Sequence, residues 1–544
     1  MDVLNAQSPP DASWSSVNLA EAVPGVMTPL TASVWVPASE MGLRSPFHAM
    51  GVLKSSDAGI PDDPLERITG AFFGRMAVRV DFLCHMGDLV PGQSGEALSR
   101  DFFGFVPDDF VSSPSMRRLP MIAVRYPRML ATIVRRMRRD RSLIDAWWRR
   151  AIATVGDLDE AEVRALLAEA VQKFTDALAL QAVVSAGAIQ PVQEQITTLA
   201  TRAGVDITDL LRGHGSHEES TVLADMWDVS RNRITLDEFL VRHGYHCAGE
   251  GETASTSWRE DSAPVERLVE SFLDMPDAES PRERAAALER SGVEAERKLF
   301  SDGGAGRVRT RATLNLARLF IPLRGVGKVS YLQGLDVIRA CARRLGADAV
   351  AAGVLDTPDD AFYLTADELA RPLVGDHRAV VAERRERRRD YESLQLPASW
   401  VGNPEPERVH SSDAESGQVG TVLSGVGASP GIVEGRAIVV TEPADTEVLD
   451  GDILVAHTTD PSWVSLMFLS EALVVDIGGM MSHAAVVARE MGVPCVMNTR
   501  TGTTTITTGD RIRVDGGAGT VEILSRADES PASVAEQSLT MSRN

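Results

Sequence analysis

A polar stretch at residues 402–420 (GNPEPERVHSSDAESGQVG) separates a helix-patterned part of the chain from a strand-patterned part. It carries no apolar periodicity, so it reads as a flexible linker. Before it, apolar residues recur at three- and four-residue spacing. Val163, Leu166, Leu167, Ala170 and Val171 do so within 159–186, and Leu332, Leu335, Val337, Ile338 and Cys341 within 330–345. That spacing puts one apolar stripe on a helix. A long charged helix is expected from His377 to Ser393. After the linker come short β-rich runs bounded by Gly, Asp or Pro, at 437–440, 453–456, 473–476, 511–514 and 520–524. A chain of 544 residues exceeds what one core supports. The expected organisation is an extended N-terminal segment (1–64) packed on a mainly α-helical domain (65–401), the linker, an α/β domain (421–525) and a disordered tail (526–544).

The formal net charge is −22. A chain this acidic repels a nucleic-acid backbone, so no nucleic-acid partner is expected. The arginine runs at 135–139 and 384–389 read as solvated helix faces. Cys84, Cys247, Cys341 and Cys495 form no C-x-x-C pair, which argues against a zinc site and a disulfide scaffold. No apolar run reaches the length of a membrane span, and the N-terminus lacks a basic start followed by an apolar stretch. The expected setting is the cytoplasm, with no membrane partner.

The chemistry concentrates in Asp476-Ile477-Gly478-Gly479-Met480-Met481-Ser482-His483-Ala484-Ala485. A strand ends near Asp476. Gly478 and Gly479 allow a tight turn, Ser482 is an N-cap, and His483 to Met491 are helix formers, with Gly492 just past the end. His483 then sits in the first turn of a helix, where free N–H groups and the dipole favour phosphate. A neutral imidazole is nucleophilic near pH 7 and can form a phosphoramidate. Taken alone, such a histidine is better explained as a plain helix start. Arg489 lies about 240° around the helix from His483 and is not assigned to the phosphate.

Residues 424–524 resemble the swivelling phosphohistidine domain of the PEP-utilising enzymes. The resemblance runs through Gly427-Ala428-Ser429-Pro430-Gly431, Gly451-Asp452-Ile453-Leu454-Val455, Thr459-Asp460-Pro461-Ser462-Trp463, Gly478 to Glu490, Gly492-Val493-Pro494 and Val514-Asp515-Gly516. It implies that His483 is phosphorylated. Met481 stands where dikinases often have threonine, so regulation through a threonine there is not expected. The rest of the chain is similar to the acceptor-binding part of the rifampin phosphotransferase family, through Pro24 to Thr31, Phe239 to His246 with Gly249-Glu250, Trp258 to Asp261, and Asp359 to Leu364. The implied fold class is multidomain, a mainly α-helical acceptor-binding domain plus an α/β swivelling phosphohistidine domain.

The chain opens at the acceptor signature, with no stretch for the ATP-grasp domain that single-chain relatives carry, and only about 20 residues follow the swivelling domain. The resemblance therefore points to two-component systems such as phenylphosphate synthase and 4-methylphenol phosphorylation. In that reading a separate ATP-grasp subunit holds ATP with Mg2+ and charges His483, which phosphorylates a small hydroxyl-bearing substrate, phenolic by expectation. An antibiotic-modifying enzyme with its ATP module on another chain, or a non-catalytic relative, are the alternatives.

Transfer to a hydroxyl needs a base and positive charge near the phosphoryl oxygens. His246 is the candidate base, with His243 or Glu250 to orient it and Glu252 close by in sequence. Each of these taken alone suits a structural role. His214, His217, Glu218 and Glu219 form a second polar group, read as a loop or cap. Arg324 and Lys328 are candidates to meet the phosphoryl group, beside Gly478, Gly479 and Ser482. Gly325-Val326-Gly327-Lys328 is not a P-loop, since Pro322 replaces the first glycine and Val329 the hydroxyl residue. Phe72, Phe73, Phe82, Met86, Trp227 and Tyr245 are potential pocket walls, with a core role expected for most.

Overall fold

The computed structural model describes residues 2–527 except 17, 18, 20, 21, 24, 206–209, 211–216, 274, 301–304, 409–417, 442–448, 450, 460–462 and 479–481. Residues 409–417 of the expected linker and nearly all of the expected tail therefore lie outside the described residues. The chain forms two compact units. The first comprises 1–196, 249–255 and 311–409, and the second 197–248, 256–310 and 410–544. Among the described residues, no helix is long and apolar enough to cross a membrane.

The first unit is built on four helices, Pro29–Met50, Leu119–Thr154, Glu160–Val184 and Leu323–Ala351. The first of them corrects the expectation of an extended N-terminal segment. Pro37 and Pro46 lie inside this helix and obscure its pattern, yet Thr28 caps it and Pro29 occupies its first turn. Proline at that position surrenders an N–H that has no intrahelical partner anyway. The third helix starts with a capping box between Asp159 and Glu162. Trp35, Phe174 and Tyr331 meet edge to face at the centre, with ring centroids 5.0–6.2 Å apart. Gly334 lets the last helix come close to the Phe174 backbone. A four-stranded antiparallel sheet lies in the same unit, in the order β2-β3-β1-β4 (β1 Ser13–Ser15, β2 Thr69–Phe72, β3 Arg75–Arg79, β4 Ser399–Val401).

Several polar groups buried in this unit are paired. Glu40, fully buried, accepts from the Ile68 and Thr69 amides and from Arg44 Nε, each at 2.8 Å. Residues 249–255 are held by the helix Leu323–Ala351 and by the N-terminal helix. Arg339 donates to the Glu250 and Glu252 carbonyls, and Trp35 Nε1 to the Gly251 carbonyl at 2.7 Å. The Glu252 carboxylate accepts from Thr28 Oγ1 at 2.7 Å and the Ala254 amide at 2.9 Å.

The second unit contains an eight-stranded mixed sheet in the order β5-β12-β11-β7-β8-β9-β10-β6. Its strands are β5 Val422–Ser424, β6 Val426–Ser429, β7 Ile432–Val440, β8 Asp452–Ala456, β9 Ala472–Val475, β10 Cys495–Met497, β11 Arg511–Asp515 and β12 Thr520–Ser525. Strands β7 to β10 run parallel, the rest antiparallel. Parallel strands are covered on both faces, which is why their sequences are continuously apolar. Leu454, Ala456, Leu473 and Val475 point to one core, while Ile453, Val455, Ala472 and Val474 point to the other.

The first of those cores does not end at the α/β domain. It continues into helices His217–Ser230, Leu236–His243 and Ala263–Ser271 through Trp227, Phe239, Trp258 and Phe272, which join Trp463, Phe468, Ala484 and Ala485. Phe272 and Phe468 meet edge to face at 5.7 Å, and the Arg284 guanidinium lies 4.1 Å over the Phe468 ring. Burying each large apolar side chain is worth about 1.5–3 kcal/mol. Packing therefore groups these helices with the sheet, although sequence pattern alone places them with the residues before 401.

Candidate functional site

The carboxyl ends of the parallel strands form one crest. Ala456 pairs with both Val440 and Val475, and Val475 with Met497, so His457, Asp476 and Asn498 follow side by side. Ligands of open α/β sheets bind at this edge. Two residues there are non-glycines in the left-handed region, Asn498 (φ 59°) and Arg500 (φ 66°). That conformation costs an L-residue roughly 1–2 kcal/mol, least for Asn.

Asp476 is the anchor of the crest. It is 1% exposed. Its Oδ1 accepts from Thr499 Oγ1 at 2.8 Å and the Gly502 amide at 2.5 Å. Its Oδ2 accepts from the Thr503 amide at 3.1 Å and from Thr503 Oγ1. His457 Nδ1 lies 3.5 Å from Oδ2, on an imidazole 62% exposed. Burial by itself would raise this carboxyl, but hydrogen bonds from His457, Thr503 and Thr499 hold it below the usual carboxylate range.

The chain leaves Asp476 through Gly478, whose φ of 140° only glycine adopts freely. A Cβ there would stand 2.3 Å from Met497 Cε and 3.0 Å from Ser482 Oγ. Ser482 is buried and caps the helix His483–Met491, accepting from the Ala485 amide at 3.5 Å. Gly492 (φ 70°) closes the helix in the left-handed conformation. His483 is the first residue of this nine-residue helix. Its imidazole, like Gly479 and Met481, lies outside what the structure describes.

The residues singled out for the acceptor fall in two places. In the second unit, His243 closes the helix Leu236–His243, its Nε2 2.8 Å from Asp225 Oδ2. Arg242 Nη1 reaches the same oxygen at 3.1 Å. Burial would raise the Asp225 carboxyl, but the bonds from His243 and Arg242 lower it below its ordinary value. His246 is 4% exposed, its ring 4.3 Å from that of Tyr245, 5.2 Å from Trp258 and 6.4 Å from His243. In the first unit, the buried Glu250 has Oε2 3.5 Å from Lys328 Nζ. Lys328 and Arg324 are one turn apart on the helix Leu323–Ala351. The glycines around them are helical, with no phosphate-cradling loop.

Phe72, Phe82 and Met86 belong to cores of the first unit, and Phe73 meets Tyr391 at 5.2 Å. Trp227 and Tyr245 are buried in the second. His214 lies outside the described residues, as do the side chains of His217, Glu218 and Glu219. Sequence reasoning missed Asp225, Asp476 as a hub, His457 and Arg500. Their partners are 18 to 27 residues away in the chain, where spacing carries no signal. Among the described residues, no group of three or more His, Cys, Asp or Glu is placed to hold a metal ion.

Comparison with known proteins meets this geometry at two places. Residues 448–519 match the PEP-utilising enzyme mobile domain, and residues 166–325 the rifampicin phosphotransferase fourth domain. A 354-residue stretch is 28% identical to the rifampicin phosphotransferase of Bacillus subtilis, covering 61% of this chain and 40% of that one. The rifampicin phosphotransferase of a Streptomyces species is 34% identical over 346 residues, 59% of this chain and 39% of that one. An uncharacterized protein of Mycobacterium tuberculosis is 32% identical over 286 residues, 53% and 31% respectively. The chain thus spans about two fifths of the length of the rifampicin phosphotransferases that it matches.

Proposed function

We propose that the chain is a phosphotransferase component in which His483 takes a phosphoryl group derived from ATP and passes it to a hydroxyl of a small acceptor. The observation that carries this reading is the position of His483. It opens a capped helix, a short way past Gly478 at the crest of a parallel sheet, inside the segment matching the PEP-utilising mobile domain. Open N–H groups at such a helix start favour the phosphoryl oxygens. In the first step an N–P bond forms on the imidazole as the phosphoryl group leaves ATP. In the second, the acceptor oxygen bonds to phosphorus, the N–P bond breaks, and the hydroxyl proton goes to a base. His246 is the proposed base, with His243 tied to Asp225 beside it. Lys328 and Arg324 are proposed to offer positive charge to the transferred group, and Gly478, Gly479 and Ser482 to shape the turn that presents it.

In this reading ATP and its Mg2+ are handled by an ATP-grasp module supplied as a separate subunit, and the acceptor is a phenol such as phenol or 4-methylphenol. Incubation with labelled ATP and that module should give acid-labile, base-stable label on the wild-type chain and none on His483→Gln. An unlabelled wild-type chain would leave the non-catalytic reading standing. The names of the relatives favour a second acceptor class, ansamycin antibiotics of the rifampicin type. Offering the charged protein phenols and rifampicin in parallel, and following loss of label, decides between them.

A further inference from the structure

We propose that His457 and Arg500 hold the phosphoryl oxygens of the group carried on His483, in a cradle organised by the buried carboxylate of Asp476. The inference rests on the reading of His483 as the carrier. Three backbone ties place these residues in one layer. The Ile477 amide donates to the His457 carbonyl at 2.9 Å, the Arg500 amide to the Asp476 carbonyl at 3.1 Å, and the Thr499 amide to the Val475 carbonyl at 3.2 Å. Gly478 and Ser482 belong to the same layer, because Gly478 lies against both Met497 and Ser482, the residue before His483.

Each side chain is unusual for a merely structural one. His457 keeps 62% of its surface in solvent while one ring nitrogen faces a carboxylate that is itself 1% exposed. That carboxylate fixes the ring and leaves the other nitrogen outward, the arrangement by which a carboxylate orients a working imidazole. Arg500 is exposed, has no ion-pair partner among the described residues, and stands in the left-handed region at φ 66°. A strained, exposed cation at a strand-end crest is placed for an anion that arrives from solvent. The negative charge of Asp476 does not repel that anion freely, since Thr499, Gly502 and Thr503 donate to it from the inner side.

Phosphoramidate tests this without a partner protein. An imidazole nitrogen of His483 attacks phosphorus, the P–N bond to ammonia breaks, and ammonia leaves with the imidazole proton. Phosphate on His483 is followed by mass spectrometry at alkaline pH, on the full chain. His457→Gln and Arg500→Gln are each expected to slow charging by about tenfold, the worth of one charge-assisted contact. The double variant should be slower than either. Arg500→Lys should recover most of the rate, which a purely structural arginine would not predict, and melting should be unchanged in all. If both Gln variants charge at the wild-type rate while His483→Gln blocks charging, the cradle is wrong and the carrier reading stands. If wild-type His483 gains no phosphate, both fall.

Discussion

At Asp476 four hydrogen-bond donors converge on a side chain that water does not reach. Removing the charge leaves those donors facing a weaker acceptor. Asp476→Asn should destabilise the second unit by about 2–4 kcal/mol, the cost of disrupting a buried charged network. Differential scanning calorimetry of the full chain would show this as a lowered transition. The pH response follows from the same bonds. The folded carboxyl lies below its unfolded value, near 3.9. Its contribution is therefore complete above about pH 4 and disappears as pH falls through the folded value. Glu368 gives the same sign in the first unit. Burial opposes its ionisation, but Arg384 at 2.7 and 2.8 Å and the Thr365 amide at 2.7 Å pull it down to about 2. Glu368→Gln should lower stability near neutrality, where the ionised carboxylate contributes in full, and flatten the further loss between about pH 4 and pH 2.

Among the elements, glycine separates two magnitudes. The helix Leu323–Ala351 passes the Pro358 carbonyl so closely that a Cβ on Gly346 would lie 2.1 Å from that oxygen. Backbone cannot swing aside as a side chain can. Gly346→Ala should cost about 1–3 kcal/mol through overpacking, read from the urea midpoint of the first unit. Ser482→Ala removes only a long cap hydrogen bond and should cost about 1 kcal/mol or less. These local rules are what made much of the fold readable beforehand. The helix Glu160–Val184 announces its start with Asp159 and Glu162, and the helix His483–Met491 announces both ends with Ser482 and Gly492. The N-terminal helix was hidden because its signal is a tertiary one. Pro37 and Pro46 break the local pattern, and burial of Leu30, Val34, Trp35 and Ala38 outweighs them. Asp225 and His243 were unreadable as a pair for a related reason, since they lie on successive helices that a turn brings together.

On the scale of the whole molecule, the chain passes between its two units at 196/197, 248/249, 255/256, 310/311 and 409/410. Cutting at the polar stretch after residue 401 would therefore split a packed core rather than separate two domains. Trp463, Leu466 and Phe468 lose cover when Trp227 and Phe272 are removed. A fragment of residues 421–525 should bind the dye ANS and melt below the second unit of the intact chain. A fragment that stayed dye-silent, with an unchanged melting point, would show the sheet to be self-sufficient.

The four native cysteines are all fully buried, and the thiols of Cys341 and Cys495 are pushed up to about 12 by burial. The natural chain should thus react little with maleimide dyes under native conditions. One engineered thiol on each unit would accept a fluorophore pair without any background to delete, and energy transfer between them would report whether their separation changes when ATP or an acceptor is added.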